Sequence, residues 1–179
     1  MSKALASSSA VVLSRGPGAL LISNGGFVNA NGVSIGDVSG SSTVTVTGAG
    51  SVLNAIHGLE IGGDCGCTPL VGTLTIADGG LTNSPSGTII GQGSTLNLGT
   101  GGLAGAIITP FIINDGLISA NFNDMLTLAA AISGGGTLSK SGPGTLILTA
   151  DNTYTGGTTI SGGTLQLAMA APAARLSVT

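Results

Sequence analysis

The chain has 179 residues and a formal net charge of −3, with 33 glycines, 42% hydrophobic residues, 6% charged residues and 2% aromatics. It is too apolar for a disordered chain, and with charge far below the ~25% of ordinary soluble domains it must stay in solution through Ser, Thr, Asn and its backbone. Lys140 is the only basic residue between Gly16 and Ala174, while Lys3, Arg15 and Arg175 lie in the flanks, so no basic patch exists to displace counterions from nucleic acid or to hold an anionic membrane.

No apolar run reaches the ~18–20 residues of a membrane-spanning helix, and the start, MSKALASSSAVVLSRGPG, has too short an apolar stretch for a secretory signal. From there on, short alternating segments recur, each closed by glycine: GVSIG (32–36), STVTVTG (42–48), GLEIGG (58–63), GTLTIADGG (72–80), GTIIGQG (87–93), STLNLGTGG (94–102), FIINDG (111–116), GTLSKSG (136–142), GTLILTADN (144–152) and GGTLQL (162–167). Val44 and Val46, Leu74 and Ile76, Leu96 and Leu98, and Leu146 and Leu148 fall on one face, with Thr or Asn mostly on the other. This is the pattern of half-buried strands. Equivalent inward positions are expected every 15, 15 and 14 residues along Val46, Ile61, Ile76 and Ile90. No segment keeps a helical period; MLTLAAAI (125–132) comes nearest, and its alternation also suits a strand.

An all-β coil of strands fits this pattern best. Asx-Gly pairs at Asn24, Asn31, Asp78 and Asp115 would also suit the hairpins of a sandwich. A sandwich core, however, wants large inward side chains, and this chain has no Trp, one Tyr and three Phe; a narrow coil is filled by stacked aliphatics. Glycine at strand ends supplies the sharp corners. At ~20–25 residues per rung the chain makes about seven rungs, with Leu74, Ile76, Leu96, Leu98, Leu146 and Leu148 in the core.

Candidate chemistry is sparse. His57 is the one histidine, with Glu60 and Asp64 nearby, and a catalytic role would need a nucleophile and an oxyanion hole beside it. Gly32-Val33-Ser34-Ile35-Gly36 spells G-x-S-x-G, and Gly99 to Ala104 spells G-x-G-x-x-A, but neither precedes a helix, so both read as turns. The acids Asp37, Glu60, Asp64, Asp78, Asp115, Asp124 and Asp151 are spread singly, not paired as a glycosidase requires. No catalytic residue, cofactor site or metal site is assigned. Cys65-Gly66-Cys67 admits three readings: a zinc site completed by His57, Glu60 or Asp64, a redox site, or a structural pair in a surface loop, oxidised outside the cell. The last is the expected one. Outward Thr43, Thr45, Thr47, Thr73 and Thr75 form a possible flat ladder for ice or another ordered surface, with Glu60 expected between Thr45 and Thr75. Scarce aromatics speak against a sugar-stacking site.

Residues 134–167 read GGGTLSKSGPGTLILTADNTYTGGTTISGGTLQL, and here the chain resembles the passenger-associated repeat of bacterial autotransporters. The match runs G-x-L-x-K-x-G-x-G-x-L-x-L, then D/N-x-Y-x-G-x-T, then I-x-x-G-x-L-x-L. It is carried by Gly136, Leu138, Lys140, Gly142, Gly144, Leu146, Leu148, Asn152, Tyr154, Gly157, Thr159, Ile160, Gly163, Leu165 and Leu167. Looser, glycine-rich similarity to the same passengers covers about 16–116. The resemblance implies a right-handed parallel β-helix over 16–167, between a flexible or cap-like flank at 1–15 and a C-terminal flank at 168–179. It also implies a stalk- or adhesin-like, non-enzymatic passenger at the surface of a Gram-negative cell or outside it. An outer-membrane β-barrel would be its partner, with the repeat aiding folding and export. With neither an evident signal peptide nor room for a barrel, the chain is expected to be a piece of a longer protein, to meet a ligand that the sequence does not name, and to associate end to end.

Overall fold

A computed structural model of the protein describes residues 4–6, 11–13, 17–36, 41–64 and 69–168. Every regular element among them is a strand, and the parallel strands stack as a β-solenoid of about six turns. All ten segments with alternating sequence carry a strand, from Val33–Ile35 to Thr164–Leu167. The stretch 125–132 is also extended, as Met125–Leu128 and the start of Ala131–Ser133.

Each full rung visits three faces. The first face stacks Ala19–Ile22, Ser41–Thr47, Pro69–Ala77, Thr95–Leu98, Leu117–Asn121, Thr137–Ser141 and Thr158–Ile160 in chain order. The second runs from Ala4–Ala6 through Phe27–Ala30, Val52–Ala55 and Leu81–Asn83 to Ala106–Ile108. Met125–Leu128, Thr145–Leu148 and Thr164–Leu167 form a separate parallel ladder of three strands. The third face stacks Val11–Leu13, Val33–Ile35, Leu59–Ile61, Thr88–Ile90, Phe111–Asn114 and Ala131–Ser133.

Register revises the expected spacing. Val46 pairs with Ile76, 30 residues on, and Ile61 pairs with Ile90 on another face. The 15-residue interval is therefore half a rung: Val46 and Ile61 both point inward but from different faces, and periodicity alone cannot tell two inward faces apart. Later rungs shorten, since Ile76 pairs with Leu98, Leu98 with Ala120 and Ala120 with Lys140. The long rung is lengthened by an excursion in which Gly63–Asp64 pairs antiparallel with Pro69 and Leu70. Cys65 and Cys67 lie outside the described residues.

The core is a set of aliphatic columns along the axis. Val44, Leu74, Leu96, Ile118 and Leu138 succeed one another at one inward position of the first face, all 1% exposed or less. The expected core residues Leu74, Ile76, Leu96, Leu98, Leu146 and Leu148 are all buried. Two corners depend on backbone that other residues resist. Asn24-Gly25 and Asp78-Gly79 each take two successive positive φ angles, 54° and 72° and then 51° and 79°. These Asx-Gly pairs thus turn the chain between rung faces instead of closing hairpins, because Asn, Asp and Gly tolerate the left-handed region. At Gly116, Gly136 and Gly156 the rungs approach so closely that a β-carbon would lie 2.4 Å from the carbonyl oxygen of Ser94, Gly116 and Gly136 respectively.

Candidate functional site: a buried lysine in the last rungs and a groove on the third face

Lys140 takes an inward position in the column of Ile22, Val46, Ile76, Leu98 and Ala120, and it is fully buried. Small Ala120 lies beside it in the preceding rung. Its Nζ donates to the carbonyls of Ser141 at 2.7 Å, Gly142 at 3.0 Å and, in the next rung, Gly162 at 3.4 Å. It also stands 4.9 Å from the centre of the Phe122 ring, which belongs to the rung before. A buried charge normally needs an opposite charge or full hydrogen bonding; here three carbonyl dipoles and a ring face take that part. Burial pushes the ammonium below the ordinary lysine value of 10.5.

The rest of the repeat surrounds this contact. Gly142 and Gly163 hold positive φ at the corners beside it, and a β-carbon on Gly163 would come within 2.9 Å of Nζ. Gly144 passes close to the Asp124 carbonyl and Phe122, while Leu138, Leu146 and Leu148 fill the core. After Asp151 the third face has no strand among the described residues. In its place, the Asn152 Oδ1 accepts the Ile132 N–H at 2.9 Å, and the N–H groups of Thr153 and Thr155 donate to Ile132 and Gly134. Asn152 thus covers an edge that would otherwise stay open. The Tyr154 hydroxyl bonds to Thr158 Oγ1 at 2.5 Å, and Tyr154 and Leu165 pack against the core. Gly157 turns at φ 88°, and Thr159 faces outward in register with Ser139. Ile160 and Leu167 are 52% and 67% exposed although they continue inward columns. Sequence reasoning found Lys140 through its isolation but missed Phe122, whose only signal was that it is one of three phenylalanines.

The second site lies on the third face. Gly32, Gly58 and Gly87 precede the register partners Val33, Leu59 and Thr88, so they stack in one column that ends at Phe111. Three rungs without side chains leave a recess of about 320 Å³. The Phe111 ring folds back over Gly87, where a β-carbon would be 2.2 Å from its Cζ. His57 and Ser86 border the recess on one side, and Ser34, Glu60 and Ile89 on the other. The structure therefore adds Ser34, from the rung before, to His57 and Glu60, which already lie close together in the chain. Asp78 lies elsewhere, hydrogen-bonded to Thr47, and Asp124 accepts the Ala104 N–H. The His57 Nδ1 lies 3.1 Å from the Asn31 carbonyl. A carbonyl only accepts, so Nδ1 carries a proton in this contact, and in the neutral ring Nε2 is then an acceptor.

The threonine ladder also changes. Thr43 pairs with Thr73 and Thr45 with Thr75 directly, continuing to Thr95 and Asn97. Glu60 is not between them, because it belongs to the third face, between Ser34 and Ile89.

Residues 138–167 match the family described as Passenger-associated-transport-repeat. Over 104 residues, 58% of the chain, the sequence is 36% identical to the adhesin BmaC autotransporter of Brucella suis biovar 1 (strain 1330), and the aligned stretch spans 3% of that protein's length. No solved structure matches the chain. The stacked parallel rungs, the transport repeat built around Lys140 and the similarity to an autotransporter adhesin support an autotransporter passenger segment, at the surface of a Gram-negative cell or outside it.

Proposed function

We propose that the segment is a non-enzymatic stalk that presents its outer faces for adhesion, and that its last rungs serve folding and export through a C-terminal outer-membrane β-barrel. The observation that supports the export role is Lys140, which ties its rung to the next one within the transport repeat and reaches back to Phe122 in the rung before the repeat. An element that links consecutive rungs this way is suited to start a solenoid that then propagates by nearest-neighbour stacking.

The test is surface display of the chain joined to a β-barrel translocator. Lys140→Ala should lower the amount of protease-resistant passenger outside the cell, and Thr43→Ala, an outward change, should not. Equal display of the two variants would remove the export role. Adherence of displaying cells to host cells, measured against cells carrying the barrel alone, tests adhesion separately; no excess adherence would leave a stalk and sink the adhesive role. A second reading is favoured by the unbroken Thr43, Thr73 and Thr95 register: an ordered outer face that meets a flat surface such as ice. Leu21 and Leu117 interrupt the face at its other rungs, so thermal hysteresis is expected to be absent, and measuring it decides against or for that reading.

A further inference from the structure

We infer that the recess over Gly32, Gly58 and Gly87 is a binding site for an arginine side chain carried by an extended segment of a partner protein. The inference names the chemistry of a partner and rests on the adhesive reading only in supposing that a protein partner exists.

Shape comes first. The recess crosses four rungs, from Gly32 to Phe111, or roughly 14 Å at ~4.8 Å per rung. That length suits a few residues of extended chain. One end is polar, with Ser34, His57, Glu60 and Ser86, and the other is apolar, with Ile89 and Phe111 exposed by 42% and 40%. A recess with an apolar wall and a few converging polar groups is the usual form of a ligand site.

Hydrogen-bond polarity then selects the ligand. His57 spends its Nδ1 proton on Asn31, so in the neutral ring its Nε2 accepts. The Ser86 hydroxyl donates to the Ile56 carbonyl at 3.1 Å, which spends its proton and leaves its oxygen to accept. The Glu60 carboxylate, on a residue that lines the recess and close to Gly63, accepts as well. An acceptor-rich rim favours a ligand with several donors, and a guanidinium presents five N–H groups and no acceptor, whereas a saccharide hydroxyl brings one donor with two acceptor lone pairs. Charge points the same way, since Lys140 is the only lysine or arginine among the described residues and it is buried, whereas Glu60, Asp78, Asp115 and Asp151 are exposed. Phe111 makes the choice between the two basic side chains: a planar guanidinium stacks on a ring and donates to a carboxylate in one pose, and a compact ammonium does not.

The experiment titrates the full chain with acetyl-Leu-Gly-Arg-amide in 150 mM salt, following the amide resonances of Gly58, Gly87 and Phe111. Saturable shifts at those residues are expected. Glu60→Gln, which keeps shape, and Phe111→Leu should each weaken binding by about fivefold, while Asp115→Asn, an acid outside the recess, should change it less than about twofold. The absence of saturation, equal weakening by Asp115→Asn, or equal binding of the citrulline analogue would overturn the inference. Binding of cellohexaose in place of the peptide would also overturn it and give the recess to a saccharide. Because this titration uses the chain in solution, its failure is separate from a failure of display or adherence.

Discussion

Replacing Lys140 with Met keeps most of the stem and removes the ammonium. Two hydrogen bonds of ordinary length and one of 3.4 Å are lost, each contributing about 1.5 kcal/mol or somewhat more when one partner is charged. The contact with Phe122 adds about 1 kcal/mol. Against this stands relief from burying a charge without a carboxylate beside it, which costs several kcal/mol. The net loss at neutral pH should be about 1–2 kcal/mol, and Lys140→Ala should lose more by opening a cavity.

The pH dependence isolates the ammonium from packing. Burial holds the folded-state value below the ordinary 10.5, so between those two values the unfolded chain binds more protons than the folded one, and stability rises with pH. The gain is absent below the lowered folded value and complete above 10.5. Urea unfolding across that window should show wild-type stability rising with pH, a rise that Lys140→Met lacks. Identical slopes, or a wild type that weakens as the lysine deprotonates, would refute the burial argument.

Four further outcomes follow from the packing. Leu74→Ala, in a fully buried column, should cost about 2–4 kcal/mol, whereas Leu165→Ala in the last rung, only partly buried, should cost less than about 1 kcal/mol by urea unfolding. Thr82→Val should stabilise by about 1 kcal/mol in the same assay, because the buried Thr82 hydroxyl has no hydrogen-bond partner and Val fills the space. Gly136→Ala should destabilise by about 2 kcal/mol or more, since its β-carbon would meet the Gly116 carbonyl and neither backbone yields cheaply. With Ile160 and Leu167 exposed on the last described rung, light scattering should show association that grows with concentration and is weakened by Leu167→Lys; a monomer into the high micromolar range would contradict this.

Much of the solenoid was legible in the sequence because alternation is a local property. Leu74 and Ile76, or Leu146 and Leu148, reveal an inward face by themselves. What alternation does not carry is which face a strand belongs to. Strands such as Val52–Ala55 and Leu81–Asn83 give little alternation because they are short and carry Asn on their outer side, and without them a three-faced rung looks like two half-rungs. Asn54 and Asn83 in fact meet there, with a 2.7 Å side-chain hydrogen bond. The recess was illegible for a related reason. Gly32, Gly58 and Gly87 are far apart in the chain and become a column only through register, and Phe111 lies over Gly87 only because that glycine leaves room.

Register is the claim on which the core columns, the recess and the threonine face all depend, and a cross-link measures it directly. In a background of Cys65→Ser and Cys67→Ser, Thr45→Cys with Thr75→Cys places two thiols on register partners. Their α-carbons lie about 4.8 Å apart, within disulfide range. Thr45→Cys with Glu60→Cys tests the half-rung spacing, with the two thiols on different faces. Mild oxidation should close the first pair in nearly all molecules, seen as faster migration without reductant, and leave the second pair open. Closure of the second pair and not the first would contradict the three-faced solenoid.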